Sequence, residues 1–244
     1  MLAKSLLNCF YPNKCIFCRK FLLYEEGYIC DLCLAQLQIQ QDYYFKNETL
    51  TDETEGMKIP GLEEEEVEKQ NPIIAVMPYN KEYRQAILRW KYKGIRKYAN
   101  GFADLVVARL KALDLMDIEY FIPVPLSPSH KKKRGFNQAK DLVEGIVKHY
   151  PAKVLDCLIR NRETKPQSAC SKEERYYNVK DSMEANKKVI DKEFAINQVI
   201  NKIALIDDIY TTGSTINESI RALMKEKSFK DADIYIIILA RGSL

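Results

Sequence analysis

Residues 203 to 215 read Ile203-Ala204-Leu205-Ile206-Asp207-Asp208-Ile209-Tyr210-Thr211-Thr212-Gly213-Ser214-Thr215. A short apolar run ends in two acids and passes into a hydroxyl-rich turn that contains a glycine. Such a run reads as a buried strand feeding a loop. Ile216, Ile220, Leu223 and Met224 then recur at helical period, and Thr215 with Glu218 has capping-box spacing, so a helix is expected to begin at the loop. The first-turn amides of a helix have no intrahelical acceptor and sit at the positive end of its dipole. Thr211, Thr212, Gly213, Ser214 and Thr215 can therefore wrap a phosphate. Asp207 and Asp208 would repel that phosphate unless they hold hydroxyls or a metal shell. A sugar phosphate satisfies both halves of the stretch, whereas the plain alternative is an Asp-rich turn before a capped helix.

The complete run resembles the ribose-phosphate signature of type I phosphoribosyltransferases. In that signature two acids meet the ribose hydroxyls and the Thr-Thr-Gly-Ser-Thr loop takes the 5′-phosphate.

At 244 residues the chain can hold one substantial core and a small appended module. Hydrophobic residues make up 46% and charged residues 30%, a globular balance, and no apolar stretch is long enough to span a bilayer. The first ten residues lack the apolar segment and small-residue cleavage site of an export signal, so a cytoplasmic location is expected. A net charge of +4 is too small to demand a nucleic-acid partner. Seven cysteines, four of them in Cys-x-x-Cys pairs, argue for metal over disulfides in such a chain.

Those four are Cys15, Cys18, Cys30 and Cys33, in C-x2-C-x11-C-x2-C spacing with Gly27 between the pairs. Four thiolates close a tetrahedral zinc shell and leave no position for water or substrate, so the zinc would be structural. Two reduced pairs without metal are the alternative. Cys9 lies outside the spacing; it could serve as a substitute ligand, but burial as a small hydrophobe is favoured. The expected organisation is a four-cysteine module over residues 1–45, an acidic linker over 46–72 and an α/β domain over 73–244. The linker holds the glutamate run from Glu63 to Glu66 and reads as solvated chain, with an acidic interaction tail as the alternative.

Within the large domain, 73–77, 121–124, 154–159 and 234–239 are strand candidates, and helical faces run through Tyr83, Ile87 and Trp90, through Phe102, Leu105, Val106 and Leu110, and through Ala139, Leu142, Val143 and Ile146. Trp90 and Tyr92 alternate with Arg89, Lys91 and Lys93, a pattern that could stack nucleobases, although core packing with cations reaching outward is favoured for Trp90. A basic loop, Lys131 to Arg134, precedes Gly135 and a helix start, which suits a second phosphate. For the three lysines a solvated turn competes evenly. Arg160, Arg162 and Arg175 lie beside a strand end or on a polar segment read as a lid, so all these cations are expected to face one cleft. Cys157 and Cys170 lack the surroundings of a nucleophile.

Taken in order, the four-cysteine module, Lys91-Tyr92-Lys93-Gly94, Pro123-Val124-Pro125-Leu126, Arg134-Gly135-Phe136-Asn137-Gln138, the segment from Arg162 to Gln167, Arg175 with Asn178 and Val179, and the 203–215 run resemble the ComF family. The acidic insert is the part least covered. The chain lacks a further cysteine pair that many members carry, and the segment around Met183 departs from their pattern.

The resemblance implies a type I phosphoribosyltransferase-like parallel sheet flanked by helices behind a zinc finger, associated in bacteria with natural competence and the uptake of single-stranded DNA. It implies that phosphoribosyl pyrophosphate or a related ribose phosphate binds with Mg²⁺. Asp207 and Asp208 would hold the ribose hydroxyls, Thr211 to Thr215 the 5′-phosphate, and Arg134 with the proline loop the pyrophosphate. Single-stranded DNA and competence proteins are the implied partners. A nucleobase phosphoribosyltransferase of salvage metabolism and a non-catalytic adaptor that keeps the fold are the alternatives, and no stretch specifies a base pocket.

Overall fold

The computed structural model describes residues 13–22, 27–38, 71–163, 180–194 and 200–241. Cys9, Cys170, Arg175 and the acidic run at 63–66 lie outside these residues.

Five parallel strands form the central sheet. β1 (Ile73–Met77), β2 (Tyr120–Pro123), β3 (Lys153–Val154), β6 (Lys202–Tyr210) and β7 (Asp233–Arg241) lie side by side in the order β1-β7-β6-β2-β3. β6 and β7 are rich in isoleucine and occupy the middle, as expected of strands buried on both faces of a parallel sheet. Parallel strands need crossover connections, and helices supply them. α2 (Lys81–Lys93) and α3 (Tyr98–Ala112) join β1 to β2, α4 (Pro128–Arg134) and α5 (Gln138–Ile146) join β2 to β3, and α7 (Ser214–Met224) joins β6 to β7. Asn80 caps α2 by accepting from the Tyr83 amide at 3.0 Å, and Gly94 ends it in the left-handed region.

Side chains alternate faces along a strand, and β6 sorts its residues accordingly. Ala204 and Ile206 join a core with Trp90, Phe102, Val106 and Leu142, beneath α2, α3 and α5. Ile203 and Leu205 join the opposite core with Ile220, Leu223 and Phe229, beneath α7. Continued to the strand's end, this alternation turns Asp208 toward α2 and Asp207 toward the α7 side. The two acids are adjacent in sequence but have different neighbours.

The stretch 154–159 does not form one strand. β3 ends at Val154, and β4 (Leu158–Arg160) pairs antiparallel with β5 (Met183–Ala185) in a separate two-stranded sheet. The intervening Leu155 and Cys157 are buried beside exposed Asp156, and the chain leaves the sheet edge there. β5 lies against α7, where the Ser219 hydroxyl donates to the Met183 sulfur at 3.0 Å. α6 (Lys187–Glu193) follows β5.

Before the sheet, a cysteine knuckle leads to helix α1 (residues 31–38). Its apolar residues Ile16, Phe17, Leu22 and Leu37 are buried in the same core as α2 and α3. Phe17 meets the Tyr83 ring edge-on at 4.8 Å, and Arg89 donates to the Ile16 and Phe17 carbonyls at 2.6 and 3.2 Å. At Gly101 on α3, any Cβ would fall 2.7 Å from that of Tyr28, so glycine there permits the close approach.

Candidate functional site

β6 delivers its two acids to the mouth of a cavity of about 330 Å³ at the carboxyl end of the sheet. This is where open α/β sheets place ligands, and the volume falls at the small end of the range for small-molecule sites. The Asp208 amide donates to Asp207 Oδ1 at 2.8 Å, which ties the pair together. Asp208 Oδ2 lies 2.8 Å from Lys91 Nζ, and each of these side chains is only 11% exposed. Asp207 has no such direct ion pair among the described contacts. Burial, and then the charge of Asp208, push its pKa up to about 7, against the opposing pull of the Asp208 amide, Lys91 and Arg160. Burial in turn lowers the Arg160 pKa, while Asp207 works to raise it.

After the acids, Tyr210 is buried and the chain turns through Thr211 and Thr212 to Gly213, whose φ is 72°. A Cβ at Gly213 would lie 2.4 Å from the Tyr210 hydroxyl, so both conformation and space demand glycine. The Thr212 and Ser214 hydroxyls are 3.0 Å apart. Thr211, Gly213, Ser214 and Thr215 line the cavity.

α7 begins at Ser214, and its first intrahelical bond runs from the Asn217 amide to the Gly213 carbonyl at 2.8 Å. Helix geometry aims the preceding amides out of the N-terminus, toward the loop. The expected capping box does not form. The cap position falls on Gly213, which puts Thr215 inside the helix, and no side chain caps it. Glu218 instead accepts from Arg221 Nε at 3.0 Å and Nη2 at 2.8 Å, and Arg221 also reaches Asp181.

The second cationic wall differs from its expected form. Lys131 to Arg134 are not a loop but the last turn of α4, which Ser127 caps and Gly135 closes at φ 77°. Pro128 at the first turn suits a helix start. Lys131, Lys132 and Lys133 point to solvent, in keeping with the solvated reading. Arg134 lines the cavity. It donates to Gln138 Oε1 at 2.9 Å and to the Tyr92 hydroxyl at 3.3 Å, with its guanidinium 5.0 Å from the Tyr92 ring centre. Asn137 caps α5 and also donates to the Val124 carbonyl at 3.0 Å, locking the proline loop against that helix.

Of the cations expected in one cleft, Arg134 and Arg160 line the cavity, and Arg162 donates to the Lys180 carbonyl instead. Trp90 is fully buried against Phe102, which removes it from any stacking role, whereas Tyr92 is 59% exposed. Tyr79, Lys91, His130 and Tyr210 also line the cavity, without a site role in the sequence expectation. The Ser127 hydroxyl lies 3.1 Å from His130 Nδ1. Burial and the nearby Arg134 and Arg160 lower the His130 pKa.

The four cysteine sulfurs of the knuckle lie within 4.8 Å of one another, with Cys18 and Cys30 at 3.7 Å. Zinc–sulfur bonds of about 2.3 Å in a tetrahedron put the sulfurs about 3.8 Å apart, so the donor set fits structural zinc. Burial opposes ionisation of Cys15, yet bonds from the backbone of Cys30, Cys18 and Phe17 bring its pKa below the ordinary value. Away from the knuckle, burial pushes the Cys157 thiol up to about 12, the opposite of what a nucleophile needs.

No helix among the described residues is long and apolar enough to cross a membrane. No family model matches the chain. Over 170 residues it is 31% identical to competence protein ComFC of Streptococcus pneumoniae, a match that covers 67% of this chain and 66% of that protein. Over 226 residues it is 26% identical to competence protein ComFC of Bacillus subtilis, covering 92% of this chain and 83% of the relative. Competence protein F of Haemophilus influenzae is 32% identical over 140 residues, with 53% and 58% covered. The chain thus shares distant homology with ComFC-like proteins and spans just under two thirds of the pneumococcal one.

Proposed function

We propose that the chain has a phosphoribosyltransferase-like site that binds phosphoribosyl pyrophosphate with Mg²⁺, and that it acts in natural competence, in the uptake of single-stranded DNA. The observation that carries the binding reading is the division of one cavity. Two carboxylates stand near the strand end, a glycine-bearing helix N-terminus follows them, and cations from separate elements, Arg134 on α4 and Arg160 on β4, line the same cavity. A ligand with a diol, a phosphate and a diphosphate matches these three demands, and neither a plain phosphate nor a plain sugar does. The competence role is supported by the names of the relatives.

In this reading Asp207 and Asp208 accept the ribose hydroxyls. The loop Thr211 to Thr215 takes the 5′-phosphate through amides and hydroxyls. Arg134 holds the pyrophosphate, kept in place by Gln138 and the Tyr92 ring. Mg²⁺ would neutralise the pyrophosphate and stabilise its departing charge.

Calorimetry with phosphoribosyl pyrophosphate and Mg²⁺ tests this. Hydrogen bonds to charged acceptors contribute roughly 1.5 to 3 kcal/mol each, so Asp207→Asn/Asp208→Asn should lose at least about tenfold in affinity while keeping its fold. Absence of binding by the wild-type protein refutes the reading. Release of pyrophosphate on adding a nucleobase would move the protein to the salvage alternative. The competence role predicts affinity for single-stranded DNA that falls steeply with salt.

A further inference from the structure

Lys91 lines the cavity, and the ligand reading above gives its charge no role. Its ammonium lies 2.8 Å from Asp208 Oδ2, and both side chains are almost enclosed. The residue's position is fixed from both sides. Trp90, before it, is fully buried with its ring 5.2 Å from that of Phe102, and Arg89 is anchored to the knuckle carbonyls of Ile16 and Phe17. Tyr92, after it, lies beneath Arg134. The backbone therefore holds Lys91 at the acid pair, and only the four-carbon stem can move the charge.

The other cations of the cavity are differently held. Arg134 is engaged by Gln138 and Tyr92, and the planar, many-donor guanidinium of an arginine keeps a fixed geometry. An ammonium on a flexible stem is a point charge that can be exchanged for another cation. Asp208 is also the acid that the β6 alternation turns toward α2. A small divalent cation seeks one or two carboxylates together with the phosphates of its ligand. It would need the carboxylate that Lys91 now occupies.

We infer that Lys91 is the internal counter-cation of the acid pair, that it competes with a divalent cation for Asp208, and that cation binding displaces it toward the phosphate-bearing part of the cavity. The inference deepens the proposed reading and rests on it for the identity of the anionic ligand. Competition for the carboxylate can be measured without that ligand.

The test is calorimetric titration of MgCl₂ alone into wild type, Lys91→Met, Lys91→Gln and Lys91→Arg at pH 8, with thermal melts to establish that each is folded. Lys91→Met should bind Mg²⁺ at least about tenfold more tightly than wild type, the scale of one charged contact released. Lys91→Arg, which keeps the competing charge, should stay near wild type. If Lys91→Met fails to fold, Lys91→Gln reads the same effect with a side chain that can still hydrogen-bond Asp208. Equal affinity in wild type and the neutral variants, including no measurable binding by any, overturns the inference, as does weaker binding by the neutral variants. Phosphoribosyl pyrophosphate is titrated separately. Its failure to bind wild type refutes the proposed function and leaves the Mg²⁺ comparison to decide the role of Lys91.

Discussion

Asp207→Asn should stabilise the free protein at alkaline pH while it weakens ligand binding. In the folded chain the Asp207 carboxyl holds its proton up to about pH 7, because burial and the Asp208 charge disfavour ionisation. In the unfolded chain it releases that proton near its ordinary value of 3.8. Between these values the folded state binds more protons than the unfolded state, so stability falls as pH rises from about 4 to about 7 and levels off above. A shift from 3.8 to about 7, at roughly 1.36 kcal/mol per pH unit, is about 4 kcal/mol. This is an upper limit for the gain, since Lys91 and Asp208 readjust once the charge is gone. Asparagine keeps the shape and retains an oxygen for the Asp208 amide, the 2.8 Å bond that ties the pair. For a chain of this size 4 kcal/mol corresponds to a rise of roughly 10 °C in melting temperature. Thermal melts of wild type and Asp207→Asn from pH 4 to pH 9 should therefore diverge with rising pH, with the variant higher above pH 7 and the two close together at pH 4. Parallel curves, or a variant less stable at pH 8, would refute the account of Asp207 as an acid whose partial burial and whose Asp208 neighbour outweigh the cations near it.

The knuckle should carry one zinc per chain by elemental analysis, and removal by chelator should lower the melting temperature, because Ile16 and Phe17 belong to the core under α2 and α3. Gly213→Ala forces a Cβ against the Tyr210 hydroxyl in a left-handed backbone. It should cost at least about 1 to 3 kcal/mol in urea unfolding, and Tyr210→Phe in the same chain should recover part of the loss. Arg221→Met leaves Glu218, only 5% exposed, without its paired cation. The expected cost is about 3 to 5 kcal/mol in urea unfolding at pH 8.

The strand, glycine loop and helix at 203–224 were legible because each rests on a local signal: an apolar run, a left-handed glycine, and a 3.6-residue period. The same holds for α5, whose inward face is the expected one, and for the four cysteines, whose spacing alone allowed their sulfurs to meet. The break between β3 and β4 was not legible. Val154 to Ile159 is apolar enough for one strand, and its division is decided by tertiary pairing, β3 with β2 and β4 with β5. The helix over Pro128–Arg134 was hidden by its own composition, since three exposed lysines look the same in a turn and in a solvated helix. Proline after Ser127 was the available signal, as a first-turn proline behind a serine cap.

Lys91 and Arg160 show where local reading ends and where a longer-range rule could have gone further. Nothing near Lys91 names its partner, for the contact joins the last turn of one helix to the end of a strand far along the chain. Yet the strand's two-residue period does say that adjacent acids at its end must face opposite layers. With the helical layer containing α2 on one side and β4 beyond the other, the acids are served unequally: Lys91 pairs directly with Asp208, and Asp207 feels only the charges of Lys91 and then Arg160. The two cations differ in what they do. Lys91 makes a direct ion pair with Asp208 and also favours ionised Asp207, while Arg160 adds a smaller effect on Asp207, and the two together do not bring its pKa down to the ordinary range. Asp207 thus remains the strained member, the acid with the most to gain from a hydroxyl or a metal ion. That asymmetry follows from a strand end exposed to different layers. It also makes the melting curve of Asp207→Asn and the Mg²⁺ titration of Lys91→Met complementary, since one removes the less relieved charge and the other removes the relief.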